Sequence, residues 1–262
     1  MGIPVYHMEA GNRSFDANVP EELNRRMVDH ISSFNLPYND YSLRNLLSEG
    51  LHPRRLSKSG SPIAEIFGKY REHIENSTVL ESLALNPHKY VVASIHRQEN
   101  VDFPKRLATI VETLVAVNEK YSIPVLISTH PRTRLRLQES PLDIPSSLVF
   151  HPPFGYLDYN KLQMNAFVVV SDSGTISEES SIMNFPAVSI RESIERPEAL
   201  ETGATILAGI TKESVIDAIE LSRELPRAST PEGYEVTDFS DRVLRFLFST
   251  AHLHKSWAGL HE

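Results

Sequence analysis

The run Ser173-Gly174-Thr175-Ile176-Ser177-Glu178-Glu179 carries the sharpest chemical signal in the sequence. An apolar, strand-like stretch, 167–170, passes through Ser-Gly-Thr straight into a helical pattern. First-turn amides and the helix dipole favour a phosphate there, and Gly174 lets the backbone approach it closely. Thr175 and Glu178 have capping-box spacing, which gives Glu178 a structural role. Glu179 lies one residue further round, where a carboxylate can accept two hydrogen bonds from a ribose diol. Short Ser/Gly/Thr turns before helices are common, so on its own the run leaves both diphosphate binding and plain helix initiation open.

Other polar groups follow apolar runs in the same way. His96-Arg97 follows 90–95, Thr129-His130-Pro131-Arg132 follows 124–128, His151 follows 147–150, and Arg191-Glu192 follows 186–190. Three histidines and several arginines along one edge would make a cationic crevice suited to an anionic ligand. Near the N-terminus, Glu9 follows the strand-like 3–8 and is a candidate base. Glu21 opens a helix behind Pro20, where an acid also serves the helix dipole. Arg25 lies one turn later and can reach the same crevice. Glu195-Arg196-Pro197-Glu198 reads as a loop entering another helix.

The elements that must position these residues alternate. Strand-length runs at 90–95, 124–128, 147–150, 167–170, 186–190 and 205–207 are apolar on consecutive positions, as in strands buried on both faces of a parallel sheet. Helical patterns separate them: Leu107, Ile110, Val111, Leu114 and Val117 before Pro124, then 156–166, 176–183 and 212–223. This order predicts a doubly wound α/β domain whose ligand sits outside the C-terminal strand ends. Residues 1–60 read as the back end of another α/β unit: one strand, then helices over 20–33 and 40–49. A lone strand leaves its ladder groups unpaired. Ser59-Gly60-Ser61-Pro62 reads as a hinge. An amphipathic helix over 238–250 is expected to pack back toward the first unit, with a frayed tail after His252. The expected organisation is 1–60, 61–235 and 236–262.

The chain has 262 residues and a net charge of −8, with no cysteine. The acidic balance argues against nucleic-acid binding. Without cysteine there is no disulfide, thiolate metal site or cysteine nucleophile. The histidines lack metal-ligand spacing, so no metal is expected. No Gly-x-Gly-x-x-Gly follows a strand, no Walker motif occurs, and neither Ser61 nor Ser173 stands in a nucleophile elbow. The opening residues do not read as a signal peptide and no apolar run is long enough to span a membrane, so the expected setting is the cytoplasm.

Five segments, taken together and in order, resemble the non-hydrolysing UDP-N-acetylglucosamine 2-epimerase family. They are His7-Met8-Glu9-Ala10-Gly11-Asn12-Arg13, Pro20-Glu21-Glu22-Leu23-Asn24-Arg25, Ser94-Ile95-His96-Arg97-Gln98-Glu99-Asn100, Ser171 through Glu179, and Glu195-Arg196-Pro197-Glu198. Asn12 and Thr175 make the wording most similar to the capsule and O-antigen branch, which makes UDP-N-acetyl-L-fucosamine. The resemblance implies two Rossmann-like domains arranged as in GT-B glycosyltransferases, with the active site in the cleft. It implies C2 inversion of a UDP-N-acetyl sugar without a cofactor or metal, through loss and re-addition of UDP, in a homodimer. Glu9 and Glu21 would supply the carboxylates around C2 and the leaving oxygen, while His96 and Arg25 hold the phosphates. Ser173, Gly174 and Thr175 would bind the diphosphate and Glu179 the ribose. Tyr159 would stack on uracil, Phe154 would line it through its backbone, and Arg196 would reach the sugar or phosphate side.

The departure lies at the front. Family members begin with a strand, a Gly-Thr-Arg-Pro-Glu type loop and a catalytic aspartate, all upstream of Glu9. The resemblance therefore implies an incomplete first domain and an N-terminally truncated chain. A GT-B glycosyltransferase, or a chain that binds UDP without turnover, is the alternative.

Overall fold

The structure, a computed structural model, describes residues 2–16, 20–138 and 144–259. The strands are β1 (Tyr6–Met8), β2 (Phe34–Leu36), β3 (Val91–Ser94), β4 (Val125–Ser128), β5 (Leu148–His151), β6 (Val168–Ser171), β7 (Ala187–Ser189) and β8 (Ile206–Leu207). The helices of the first part are α1 (Pro20–Ile31), α2 (Asp40–Ser48), α3 (Ile63–Glu75) and α4 (Val79–Ser82). Next come α5 (Gln98–Val101), α6 (Pro104–Tyr121), α7 (Pro131–Gln138), α8 (Tyr156–Met164) and α9 (Ile176–Met183). The last are α10 (Pro197–Thr202), α11 (Lys212–Glu224), α12 (Phe239–Thr250) and α13 (His254–Trp257). The chain folds into two units: 1–69 with 193–198 and 230–262, and 70–192 with 199–229.

The second unit is an α/β layer structure around a parallel six-stranded sheet of order β5-β4-β3-β6-β7-β8. Two strands lie to one side of β3 and three to the other, so chain order reverses between β3 and β6. That is the topological switch point of a doubly wound fold, where loops diverge and leave a crevice. Val91, Ala93, Val125, Ile127, Val168 and Val170 bury one face against α6 and α11 through Ile110, Leu114, Val215 and Ile219. Val92, Leu126 and Val169 alternate with them and are buried too. Burial on both faces explains why these strands read as continuous apolar runs.

The first unit contains one more strand than the sequence pattern suggests. β2 pairs in parallel with β1, Tyr6 opposite Phe34 and Met8 opposite Leu36, so β1 is not alone. Phe-Asn-Leu before a proline is too short to show a period. Tyr6 stacks on Phe34 with ring centroids 4.7 Å apart, and Phe246 of α12 meets both rings edge-on. The Tyr6 hydroxyl lies 2.8 Å from Thr250 Oγ1. Residues 254–257, expected to lie in a frayed tail, form α13, which brings Trp257 against Phe34, and Arg54 donates to the Trp257 carbonyl at 2.6 Å. Residues 63–75, which carry no signal in the sequence analysis beyond following the Ser-Gly-Ser-Pro stretch, form α3.

Candidate functional site

The C-terminal ends of β3 and β6 are tied together by one carboxylate. Asp172 follows β6 and is fully buried. It accepts the amides of His96 and Arg97 at 3.0–3.1 Å and the Asn100 side-chain amide at 3.1 Å. His96 Nδ1 lies 3.1 Å from the same carboxylate. Burial alone would raise the Asp172 carboxyl, but the His96 contact and these hydrogen bonds outweigh it and hold the group below its ordinary range. Asp172 therefore stays ionised and fixes His96, whose ring is exposed, at the switch point.

The turn beyond Asp172 is internally braced. Ser173 accepts from the Thr175 amide at 3.3 Å, and the two hydroxyls lie 3.0 Å apart. The expected capping box does not form, since Thr175 makes no side-chain bond to the helix amides. Its Oγ1 instead donates to Glu179 Oε1 at 2.7 Å, one turn along α9. Glu179 Oε2 accepts from buried Gln163 of α8 at 2.8 Å. Each carboxylate oxygen retains a second lone-pair direction for a diol. Tyr159, on α8, keeps its proton at neutral pH, because burial and the nearby Glu179 charge push its hydroxyl far up. Phe154, after β5, stacks on His151 at 4.0 Å with the rings 5° from parallel.

The rest of this edge is less cationic than its composition suggests. Arg132 pairs with Asp102, and Arg106 pairs with Glu192. His130 accepts from the Arg132 amide, and His151 Nδ1 lies 2.7 Å from the Pro152 carbonyl. Among the three strand-end histidines, only His96 stands on a buried acid.

In the first unit the loop after β1 places Glu9 in the left-handed region, with φ of 63°. For a side-chain-bearing residue this is a strained conformation of the kind that clusters at functional sites. Glu9 Oε1 accepts from Asn12 Nδ2 at 3.1 Å, Arg25 at 3.4 Å and Arg196 at 3.1 Å. Its Oε2 has no hydrogen bond among the described residues. Glu9, Arg25 and Arg196, 187 residues apart at the extremes, thus share one oxygen. Glu21 is exposed on the first turn of α1, one turn ahead of Arg25. Its neighbour Glu22 is the buried one, receiving Ser14 and Arg26.

What holds the Glu9 loop escaped the sequence reading. Gly11 follows with φ of 82°, and a Cβ there would sit 2.2 Å from the Ser42 carbonyl oxygen. The fully buried Arg13 bridges Asp29 and Glu49 at 2.7 Å each. Asp29 also meets His7 Nδ1 at 2.7 Å and the Gly11 amide at 3.2 Å. Asp172 and Gln163 were missed too. The one available signal was an acid directly after a buried strand. Among the described residues no cluster could hold a metal, and no helix is long and apolar enough to cross a membrane.

A profile described as UDP-N-acetylglucosamine 2-epimerase matches residues 1–247. A Methanocaldococcus jannaschii protein named UDP-N-acetylglucosamine 2-epimerase is 38% identical over 226 residues, 84% of this chain and 62% of that protein. The chain thus spans under two thirds of that relative's length. The solved UDP-N-acetylglucosamine 2-epimerase of Rickettsia bellii superposes with a TM-score of 0.88 at 37% identity, covering 97% of this chain and 69% of that one. The M. jannaschii UDP-GlcNAc 2-epimerase, solved in complex with UDP-GlcNAc and UDP, gives 0.86 at 34% identity, over 94% of this chain and 69% of that one.

Proposed function

Because the chain belongs to the UDP-N-acetylglucosamine 2-epimerase family, we propose that it inverts C2 of a UDP-N-acetyl hexosamine. The C2 proton leaves with its electron pair forming the C1–C2 double bond. The C1–oxygen bond breaks, its own electron pair departing on UDP, which leaves a 2-acetamidoglycal. UDP then re-adds at C1 while a proton arrives at C2 from the opposite face. An acid/base pair and stabilisation of the departing diphosphate are the two demands of this chemistry.

The observation that carries the reading is Glu9: strained backbone, one oxygen clamped by two guanidinium groups, the other without a partner among the described residues. In this proposal Glu9 and Glu21 exchange protons at C2 and the leaving oxygen. His96 and Arg25 take the phosphates, Ser173, Gly174 and Thr175 the diphosphate, and Glu179 the ribose. Tyr159 and Phe154 meet uracil, and Arg196 serves the sugar or phosphate side while orienting Glu9. A relative of the same family solved with UDP-GlcNAc and UDP supports the nucleotide-sugar class. A glycosyltransferase of similar architecture would leave the clamped carboxylate without a task.

For the sugar we propose UDP-N-acetyl-L-fucosamine, made for a capsule or O-antigen, on the wording around Asn12 and Thr175. A cytoplasmic homodimer is proposed on the family resemblance alone. Proton NMR in D₂O tests the reaction, with UDP-N-acetyl-L-fucosamine and UDP-N-acetylglucosamine in parallel. Loss of the H2 signal is expected, fastest with the L-fucosamine sugar. Faster exchange with the D-gluco sugar would move the substrate. Retained H2 with both, while UDP still shifts protein resonances, would reduce the chain to a nucleotide binder.

A further inference from the structure

A cavity of about 540 Å³ lies in the second unit, and none of the candidate site residues lines it. It is lined from the C-terminal ends of α9 and α11, the end of α10, and the residues that lead into β7 and β8. The chemistry described above sits at the opposite, C-terminal strand ends. α9 connects the two regions: its first turn follows the Ser173–Thr175 turn, and its last residues border the cavity. Eight helical residues separate them by about 12 Å.

The volume falls in the range of small-molecule pockets. Leu200, Leu221 and Leu225 line it, and each is more than 40% exposed, an apolar rim left open to water. Two polar groups break this lining. Thr205 is 2% exposed, and its buried Oγ1 has no hydrogen-bond partner among the described residues. Arg227 lines the cavity and donates to the Ser222 carbonyl at 3.0 Å. Neither Arg227 nor Arg223, four residues before it, pairs with a carboxylate among the described residues. In a chain of net charge −8, a pair of cations without acids is conspicuous. Arg227 is an exposed residue, and partial burial of its guanidinium, then the charge of Arg223, pull it below its ordinary range. An anion at Arg227 would relieve both penalties.

We propose that this cavity is a second small-molecule site, taking an amphiphilic carboxylate. Its apolar body lies among Leu200, Leu221 and Leu225, its acid head meets Arg227, and a polar group in the body satisfies Thr205. The site is independent of the reaction proposed above.

Titration of the ¹⁵N-labelled protein with 4-phenylbutyrate tests it, with neutral 4-phenylbutanol and inorganic phosphate as matched probes. Saturable shifts at the Gly203, Ala204, Thr205 and Ile206 amides are expected with the carboxylate. Arg227→Gln is expected to weaken the carboxylate about tenfold, the scale of one charge-assisted hydrogen bond, and to leave the alcohol unchanged. Thr205→Val keeps the shape of the site and checks the lone hydroxyl, with a smaller weakening expected. The proposal is overturned by shifts that fall elsewhere or are absent at millimolar probe. It is equally overturned if the alcohol binds as tightly as the acid, or if phosphate alone binds as tightly as the carboxylate.

Discussion

The two units hold their strand-end loops by different physics. In residues 70–192 and 199–229 the sheet is sealed in hydrocarbon, with Val91, Val168 and Val170 fully buried. At its edge Asp172 collects His96, Arg97 and Asn100, and Glu178 and Arg191 are the other buried charges among its described residues. In residues 1–69, 193–198 and 230–262 charge sits inside: Arg13 and Asp29 are fully buried, with Glu49 against them. A large sheet can leave its loops to one well-placed acid. A two-stranded sheet has little apolar surface to bury, so ion pairs and hydrogen bonds fix the Glu9 loop directly. The second arrangement is more sensitive to loss of a partner, since a lone buried charge is far costlier than a lost methyl group.

The largest expected effect is at Arg13. Arg13→Ala takes the buried guanidinium from between Asp29 and Glu49, leaving Asp29 to His7 and the Gly11 amide and Glu49 to His30, and is expected to cost about 3–5 kcal/mol. Hydrogen exchange would show protection lost around β1 and β2 while β6 stays protected. Equal loss in both units would break the comparison. The hydrocarbon counterpart is Leu114→Ala in α6, expected to cost about 2–5 kcal/mol and to deprotect the second unit.

Acid should separate the units next. The Arg13 hydrogen bond is the main cause that brings the Glu49 carboxyl from 4.5 down to about 2, against its burial. A folded value below the unfolded one means stability that is present above pH 4.5 and lost as pH falls toward 2. The loss is about 3 kcal/mol for Glu49 alone. Chemical denaturation followed between these limits should show the first unit weakening before the second. A single transition at an unchanged midpoint would contradict this.

Smaller effects sharpen the view of the second unit. Asp172→Asn keeps the shape but removes the charge opposite His96, and UDP affinity measured calorimetrically should fall about tenfold. Glu179→Ala should weaken UDP by a few-fold to about tenfold through lost ribose acceptors. Unchanged affinity would return Glu179 to bracing Thr175 and Gln163.

Much of this architecture was legible because it repeats locally. The six sheet strands of the second unit show as apolar runs, and the helix at 176–183 was read to the residue. Where pattern is short or partners are distant, reading stops. Phe34-Asn35-Leu36 is too brief to show a period, and Trp257 is placed by Phe34 and Arg54, both distant in sequence. The Thr175 hydroxyl can accept from a first-turn amide or donate to Glu179, and packing of α8 against α9 through Gln163 selects Glu179 over the capping geometry. Asp172 and His96 are 76 residues apart, and Glu9 and Arg196 are 187 apart. Local residue types suggest that such groups do chemistry; only the fold shows which groups meet.

The most direct test uses Glu21→Gln, because Glu21 is exposed on α1 and the change leaves the buried network intact. C2 deuterium exchange and UDP affinity would be measured on the same sample, beside the unmodified chain. The account predicts exchange reduced at least about a hundredfold, the scale of lost general acid–base catalysis, with UDP affinity preserved. Exchange at the unmodified rate would leave Glu21 a helix-dipole residue and contradict the assignment of proton transfer to it.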